Sequence, residues 1–192
     1  MKYLAYFKPS EEFLITANDY VNSLGNNVSK NLIDTGHCTI MYAAALKEDK
    51  EEQIIREFKA IIPSAARDTR VEGLDLFDKA SLVARLRKDR YLNRVHLSTI
   101  ETLRNFIDSY ELIGKFPTEY IGNKEREAAY LRYGSVYAGD LWQPHITLCR
   151  IKEPIDTQGL NPFKDITWRT DEVFLAKKVE GEWKDIASVR LH

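Results

Sequence analysis

His37-Cys38-Thr39-Ile40 and His145-Ile146-Thr147-Leu148 repeat one pattern, His, apolar, Thr, apolar, once in each half of the chain. Along a β-strand successive side chains alternate faces, so His37 and Thr39 share one face while Cys38 and Ile40 take the other. His145 and Thr147 stand in the same relation to Ile146 and Leu148. Each strand thus presents an imidazole beside a hydroxyl, backed by apolar residues suited to a core. Two such strands facing one cleft would converge both pairs on a small substrate. The chain has four His, and two of the four meeting this context by chance is expected in roughly one such sequence per thousand. The pair is therefore read as a site, although either tetrapeptide alone reads better as an ordinary strand with a structural His.

Outward from these strands the chain divides into further elements. Residues 2–7 read as a strand stopped by Pro9, and Ser10 caps a helix whose stripe is Phe13, Ala17, Tyr20, Val21 and Leu24, ending at Gly25. Residues 25–36 read as a polar connector. Asp49 and Glu52 match a capping box for a second helix, with Ile54, Ile55, Phe58, Ile61 and Ile62 on one face and Pro63 closing it. Residues 70–77 and 81–87 read as strands joined near Asp78-Lys79. Ser98 and Glu101 match another capping box, which predicts a third helix carrying Ile100, Leu103, Phe106, Ile107 and Tyr110 and stopping at Gly114. A short helix is expected near 124–131, and a hairpin over 171–179 and 183–191 turns at Glu180-Gly181. There is no repeated βαβ rhythm, so the class is α+β.

Composition narrows the function. The chain has 192 residues, 44% of them hydrophobic and 30% charged, which excludes a mostly disordered chain. Lys and Arg total 28 against 29 for Asp and Glu, a net charge of −1. A protein that grips long duplex nucleic acid by its phosphates should be more basic than this. Cys38 and Cys149 are too few for a disulfide scaffold and form no CxxC pair, so a reducing, cytoplasmic setting is expected. No apolar run approaches the roughly 20 residues of a membrane span, and the apolar start is broken at Lys8, too short for a signal peptide.

Two His and two Thr fit phosphoester chemistry without a metal. One neutral imidazole takes the proton from the attacking oxygen, and the other, protonated, gives one to the leaving oxygen. The hydroxyls hydrogen-bond the non-bridging phosphate oxygens and stabilise the charge that builds there. A zinc site fits less well, since neither strand offers the usual three ligands and Thr is a poor one. His96 also precedes a hydroxyl residue, Ser98, but that hydroxyl is assigned to capping, so His96 is read as structural.

The paired tetrapeptides, about a hundred residues apart, resemble the motifs of the 2H phosphoesterase superfamily, which includes 2′-5′ RNA ligase-like proteins and cyclic nucleotide phosphodiesterases. The order of the initial strand and helix, the Val71–Arg87 strand pair, the helix from Ser98 and the closing hairpin is similar too. In place of the Phe-Leu-Gly type sequence usual after the first motif in RNA ligase-like members, this chain has Met41-Tyr42-Ala43-Ala44. The resemblance implies a bilobal α+β domain over 1–192, with two antiparallel-sheet lobes, outer helices and a central cleft. It implies His37 and His145 as the acid/base pair, Thr39 and Thr147 as phosphate binders, and cleavage of a cyclic phosphate or 2′-5′ diester with no cofactor. The expected partner is a small cyclic nucleotide or single-stranded RNA end, bound by a monomer. RNA end joining and a non-catalytic nucleotide-binding module are the alternatives. Around the cleft, Arg85, Tyr42, Arg150 and Trp142 are candidate substrate contacts. Strict alternation sets Tyr42 and Arg150 on the face opposite the His, while Trp142 is a candidate stacking platform for a base.

Overall fold

The computed structural model describes residues 2–61, 66–108 and 116–192, with only the backbone of residues 42–44, 67 and 119. In chain order the elements are β1 (Lys2–Phe7), α1 (Glu11–Ser23), β2 (Val28–Asn31), β3 (Cys38–Ala45), α2 (Glu51–Lys59), β4 (Arg67–Phe77) and β5 (Ser81–Leu86). Then follow α3 (Arg90–Leu103), α4 (Lys124–Tyr133), β6 (His145–Ile151), β7 (Thr167–Thr170), β8 (Glu172–Val179) and β9 (Glu182–Arg190). The class is α+β. All strand pairs among the described residues are antiparallel, in the order β7-β4-β5-β6-β3-β1-β8-β9, with β2 added beside β6.

The two motif strands are neighbours at the middle of this sheet. β3 and β6 are bridged at a single pair, Cys38 and Ile146, and diverge beyond it. On one side β3 continues through β1 to β8 and β9; on the other, β6 continues through β5 to β4 and β7. Each half has its own helices. α1 contacts β2 and β6, α2 contacts β9, and α3 contacts β3. The core lies between these helices and one sheet face, which supplies Tyr3, Ala5, Phe7, Cys38, Leu82, Ala84 and Ile146.

Local chemistry explains most boundaries. Ser10 accepts from the Phe13 N–H at 3.2 Å and starts α1. Its inward stripe of Phe13, Ala17 and Val21 is buried, and the Phe13 ring lies 5.0 Å from Phe163 and 5.2 Å from Trp168. The closing hairpin turns at Glu180 and Gly181, both with positive φ, and Asp78 and Lys79 turn β4 into β5 in the same way.

Several boundaries differ from the sequence reading. α3 begins at Arg90, eight residues before Ser98, because Asp89 accepts from the Leu92 N–H at 2.8 Å and caps it; Ser98 is mid-helix. α2 starts at Glu51 with no side-chain cap, so Asp49 and Glu52 form no capping box. The connector 25–36 contains β2, and β7 is a further short strand; both are too short or too polar to show a periodic pattern. The expectations for Ile62, Pro63, Tyr110 and Gly114 lie outside the described residues.

Phe13 joins α1 to the β7 side of the core with no solvent exposure. Phe13→Ala should therefore destabilise the fold by about 3–5 kcal/mol, read as a lowered urea midpoint at unchanged m-value.

Candidate active site

The bridge at Cys38 and Ile146 sets the register of the two motifs. Stepping one residue either way along antiparallel strands places His37 opposite Thr147 and Thr39 opposite His145. Each His is thus in register with the other motif's Thr, and a local twofold maps His37 onto His145 and Thr39 onto Thr147. The sheet face opposite the core carries all four.

Both strands break alternation at the same motif position. Tyr6 pairs with Thr39 and Ala5 with Met41, so Ile40 is an extra residue in β3. Val83 pairs with Thr147 and Leu82 with Cys149, so Leu148 is an extra residue in β6. These are β-bulges. Their effect is to bury two consecutive side chains after each Thr, Ile40 with Met41 and Leu148 with Cys149. The fourth motif residue thus anchors the strand in the core just beyond the site.

The imidazoles are held in matching ways. His37 Nδ1 lies 2.7 Å from the Thr35 carbonyl and His145 Nδ1 lies 2.8 Å from the Gln143 carbonyl. A carbonyl only accepts, so both Nδ1 atoms carry the proton and Nε2 is the nitrogen left open on each ring. An aromatic ring stands edge-on to each: Tyr6 at 5.2 Å from His37 and Phe77 at 4.6 Å from His145. Among the described residues no protein group bonds either Nε2, nor the hydroxyl of Thr39 or Thr147. Four free polar atoms therefore face one small region. Gly36, just before His37, has no room for a side chain, since a Cβ there would sit 2.9 Å from the Ile33 carbonyl and 3.1 Å from Leu14.

Burial lowers the pKa of His145, and the neighbouring His37 charge lowers it further, against the opposing effect of its bond to Gln143. That interaction also shows that the two imidazoles lie within electrostatic reach of each other.

The outer candidates fare differently. Arg85 is the direct cross-strand partner of His145, half-exposed and 3.8 Å from Asp75. Arg150 pairs with Ser81, which shares a β5 face with Val83 and Arg85. The bulge at Leu148 has therefore turned Arg150 onto the site's face, contrary to strict alternation, but about 15 Å along the strand from His145. Tyr42 lies in β3 with its side chain outside the described residues. Trp142 is no stacking platform: it is buried, and its ring stacks on His96 at 4.3 Å with the planes 5° apart.

Trp142 and His96 instead hold the first motif's bulge. The Trp142 Nε1–H donates to the Thr39 carbonyl at 3.0 Å, and His96 Nδ1 donates to the Ile40 carbonyl at 2.5 Å. The Gly139 N–H in turn donates to His96 Nε2 at 2.9 Å. A helix, a bulge and the loop leading to His145 are thereby tied through one neutral imidazole. Sequence reading also misses the wall beside His37. There Tyr6 donates to Asp185 at 2.6 Å and stacks on Phe174, while Lys8 sits 4.2 Å over the other ring. The one available signal is Tyr6, on the outward alternation of an otherwise apolar strand.

No family model and no curated protein matches the chain. Solved structures do. TT0787 of Thermus thermophilus superposes with a TM-score of 0.64 at 14% identity, over 100% of this chain and 98% of that one. E. coli LigT complexed with 3′-AMP gives 0.64 at 13% identity, over 99% and 97%. A protein described as a phosphoesterase gives 0.66 at 13%, over 99% and 98%. LigT has also been solved with NADP+ and with ATP. The fold is that of the 2H phosphoesterases, as the paired motifs imply.

Burial lowers the His96 pKa to about 4. A folded-state value below the ordinary 6.5 means that this stabilisation is full above pH 6.5 and is lost as pH falls towards 4. Over that window the loss is about 3 kcal/mol. Urea unfolding at pH 7, 5.5 and 4 should show a correspondingly shallower pH dependence in His96→Gln than in the parent chain.

Proposed function

We propose that this chain is a metal-independent phosphodiesterase that opens a cyclic phosphate, at an RNA 2′,3′ end or in a small cyclic nucleotide. The observation that carries the reading is the crossed quartet of His37, Thr147, Thr39 and His145, with both Nδ1 atoms tied to carbonyls and both Nε2 atoms free. Binding alone has no need of two imidazoles poised in this way. The fold shared with phosphoesterases supports it, as do the nucleotides bound by LigT.

The roles divide by environment. His145, with its depressed pKa, is the neutral base. Its Nε2 takes a proton from water as the water oxygen bonds to phosphorus. His37 Nε2–H gives a proton to the ribose oxygen as the opposite P–O bond breaks, leaving a phosphomonoester and a free hydroxyl. Thr39 and Thr147 donate to the non-bridging oxygens, where negative charge accumulates. Arg85, beside His145, adds positive charge at the rim.

A panel of 2′,3′-cyclic mononucleotides, cyclic oligonucleotides and 2′-5′-linked dinucleotides, assayed in EDTA, tests this directly. His37→Ala and His145→Ala should each lower kcat/KM by about 10² or more, with smaller losses for Thr39→Val and Thr147→Val. The pH profile should be a bell whose acid limb, set by protonation of His145, lies below pH 6.5. Abolition by EDTA, or full activity in His37→Ala, would overturn the scheme.

A further inference from the structure

The cationic surface next to His145 extends beyond Arg85. Val71 pairs with Leu86, and the Arg87 N–H donates to the Arg70 carbonyl at 3.0 Å, which carries the β4–β5 ladder one residue further. Arg70 and Arg87 are therefore cross-strand neighbours. Arg87 follows Arg85 by two residues, so it shares the face that Arg85 and His145 occupy, while Val71 and Leu86 turn into the core.

Like charges directly opposite on a sheet are destabilising. No direct ion pair offsets that here. Among the described residues neither arginine has an ion pair or a side-chain hydrogen bond. Of the nearby acids, Asp75 pairs with Arg85, Asp89 caps α3 and Asp68 is the register partner of Arg169, while Glu72, exposed in the β4 bulge between Val71 and Gly73, makes no ion pair with either arginine. Two exposed arginines thus stand as cross-strand neighbours with no direct ion pair among the described residues, about 7 Å along the strand from Arg85. An extended single strand spaces adjacent phosphates by about this distance, so the pair lies within reach of the phosphate next to the reacting one.

We infer that Arg70 and Arg87 form a subsite for a second phosphate, and that the substrate is a single-stranded oligonucleotide end rather than a mononucleotide. This rests on the phosphodiesterase reading above. A 2′,3′-cyclic phosphate terminates its strand, so every other phosphate lies on its 5′ side. The arginine pair marks the side of the cleft along which that strand leaves. Bidentate guanidinium contacts suit one phosphodiester held between two arginines.

The test compares kcat/KM for ApA ending in a 2′,3′-cyclic phosphate with that for adenosine 2′,3′-cyclic phosphate. The dinucleotide should be favoured by about tenfold or more, and Arg70→Gln and Arg87→Gln should each bring the ratio towards unity, with both changes leaving it within about twofold. The salt slope of dinucleotide binding should fall by about 0.7 when the subsite is removed. Because the pair is repulsive in the free protein, either variant should be at least as stable as the parent. An equal preference for the two substrates, or the same loss on both in the variants, overturns the subsite. If neither substrate is hydrolysed, the hydrolase reading fails separately, and calorimetric binding of ApA 3′-phosphate against adenosine 3′-phosphate still decides: equal affinities refute the subsite.

Discussion

One strand crossing governs the arrangement. β3 and β6 touch at Cys38 and Ile146 and then part, so the two halves of the sheet are joined at a pivot rather than along a full ladder. A longer ladder would flatten the sheet and fill the space between the halves with cross-strand side chains. A single pair leaves that space open, and the residues flanking the pair are the ones that look into it. The crossed placement of His37 with Thr147, and of His145 with Thr39, is the geometric consequence of an antiparallel bridge centred between two copies of the same tetrapeptide.

The carbonyls that the parting strands leave free at Thr39 and Ile40 need partners, because unpaired buried backbone groups are costly. Trp142 and His96 supply them. Trp142, a candidate stacking platform in the sequence, and His96, read there as structural, are thus both part of the support. Each combines a ring with a polar hydrogen, which suits a buried carbonyl as well as it suits a ligand.

The shared face of His37, Thr39, His145 and Thr147 is legible because alternation in a strand is local, and the tetrapeptides contain all the information that places His and Thr together. What lies beyond the tetrapeptide is not. Strict alternation sets Arg150 on the wrong face because the bulge at Leu148 arises from pairing with β5, which no window of β6 residues contains. The start of α3 is misplaced because Ser98 and Glu101 fit a capping pattern as well as Asp89 does, and only packing of Tyr91, Leu92, Val95 and His96 into the core decides between them. β2 is hidden by polarity: Ser29, Lys30 and Asn31 are exposed, and the strand is held by backbone pairing to β6. Composition conceals the Arg70 and Arg87 pair, since a net charge of −1 averages over the whole chain and the two residues are far apart in sequence.

Cys38 occupies the pivot itself. Its thiol is fully enclosed, and burial drives its pKa up despite a bond from the His145 backbone N–H. A thiol in that state is a poor nucleophile and out of reach of oxidants, so the centre of the fold is chemically silent while the two halves stay joined. Its silence is also informative. An alkylating reagent can modify Cys38 only when the core face of β3 is uncovered, so the labelling rate at this sulfur counts openings of the core at the pivot.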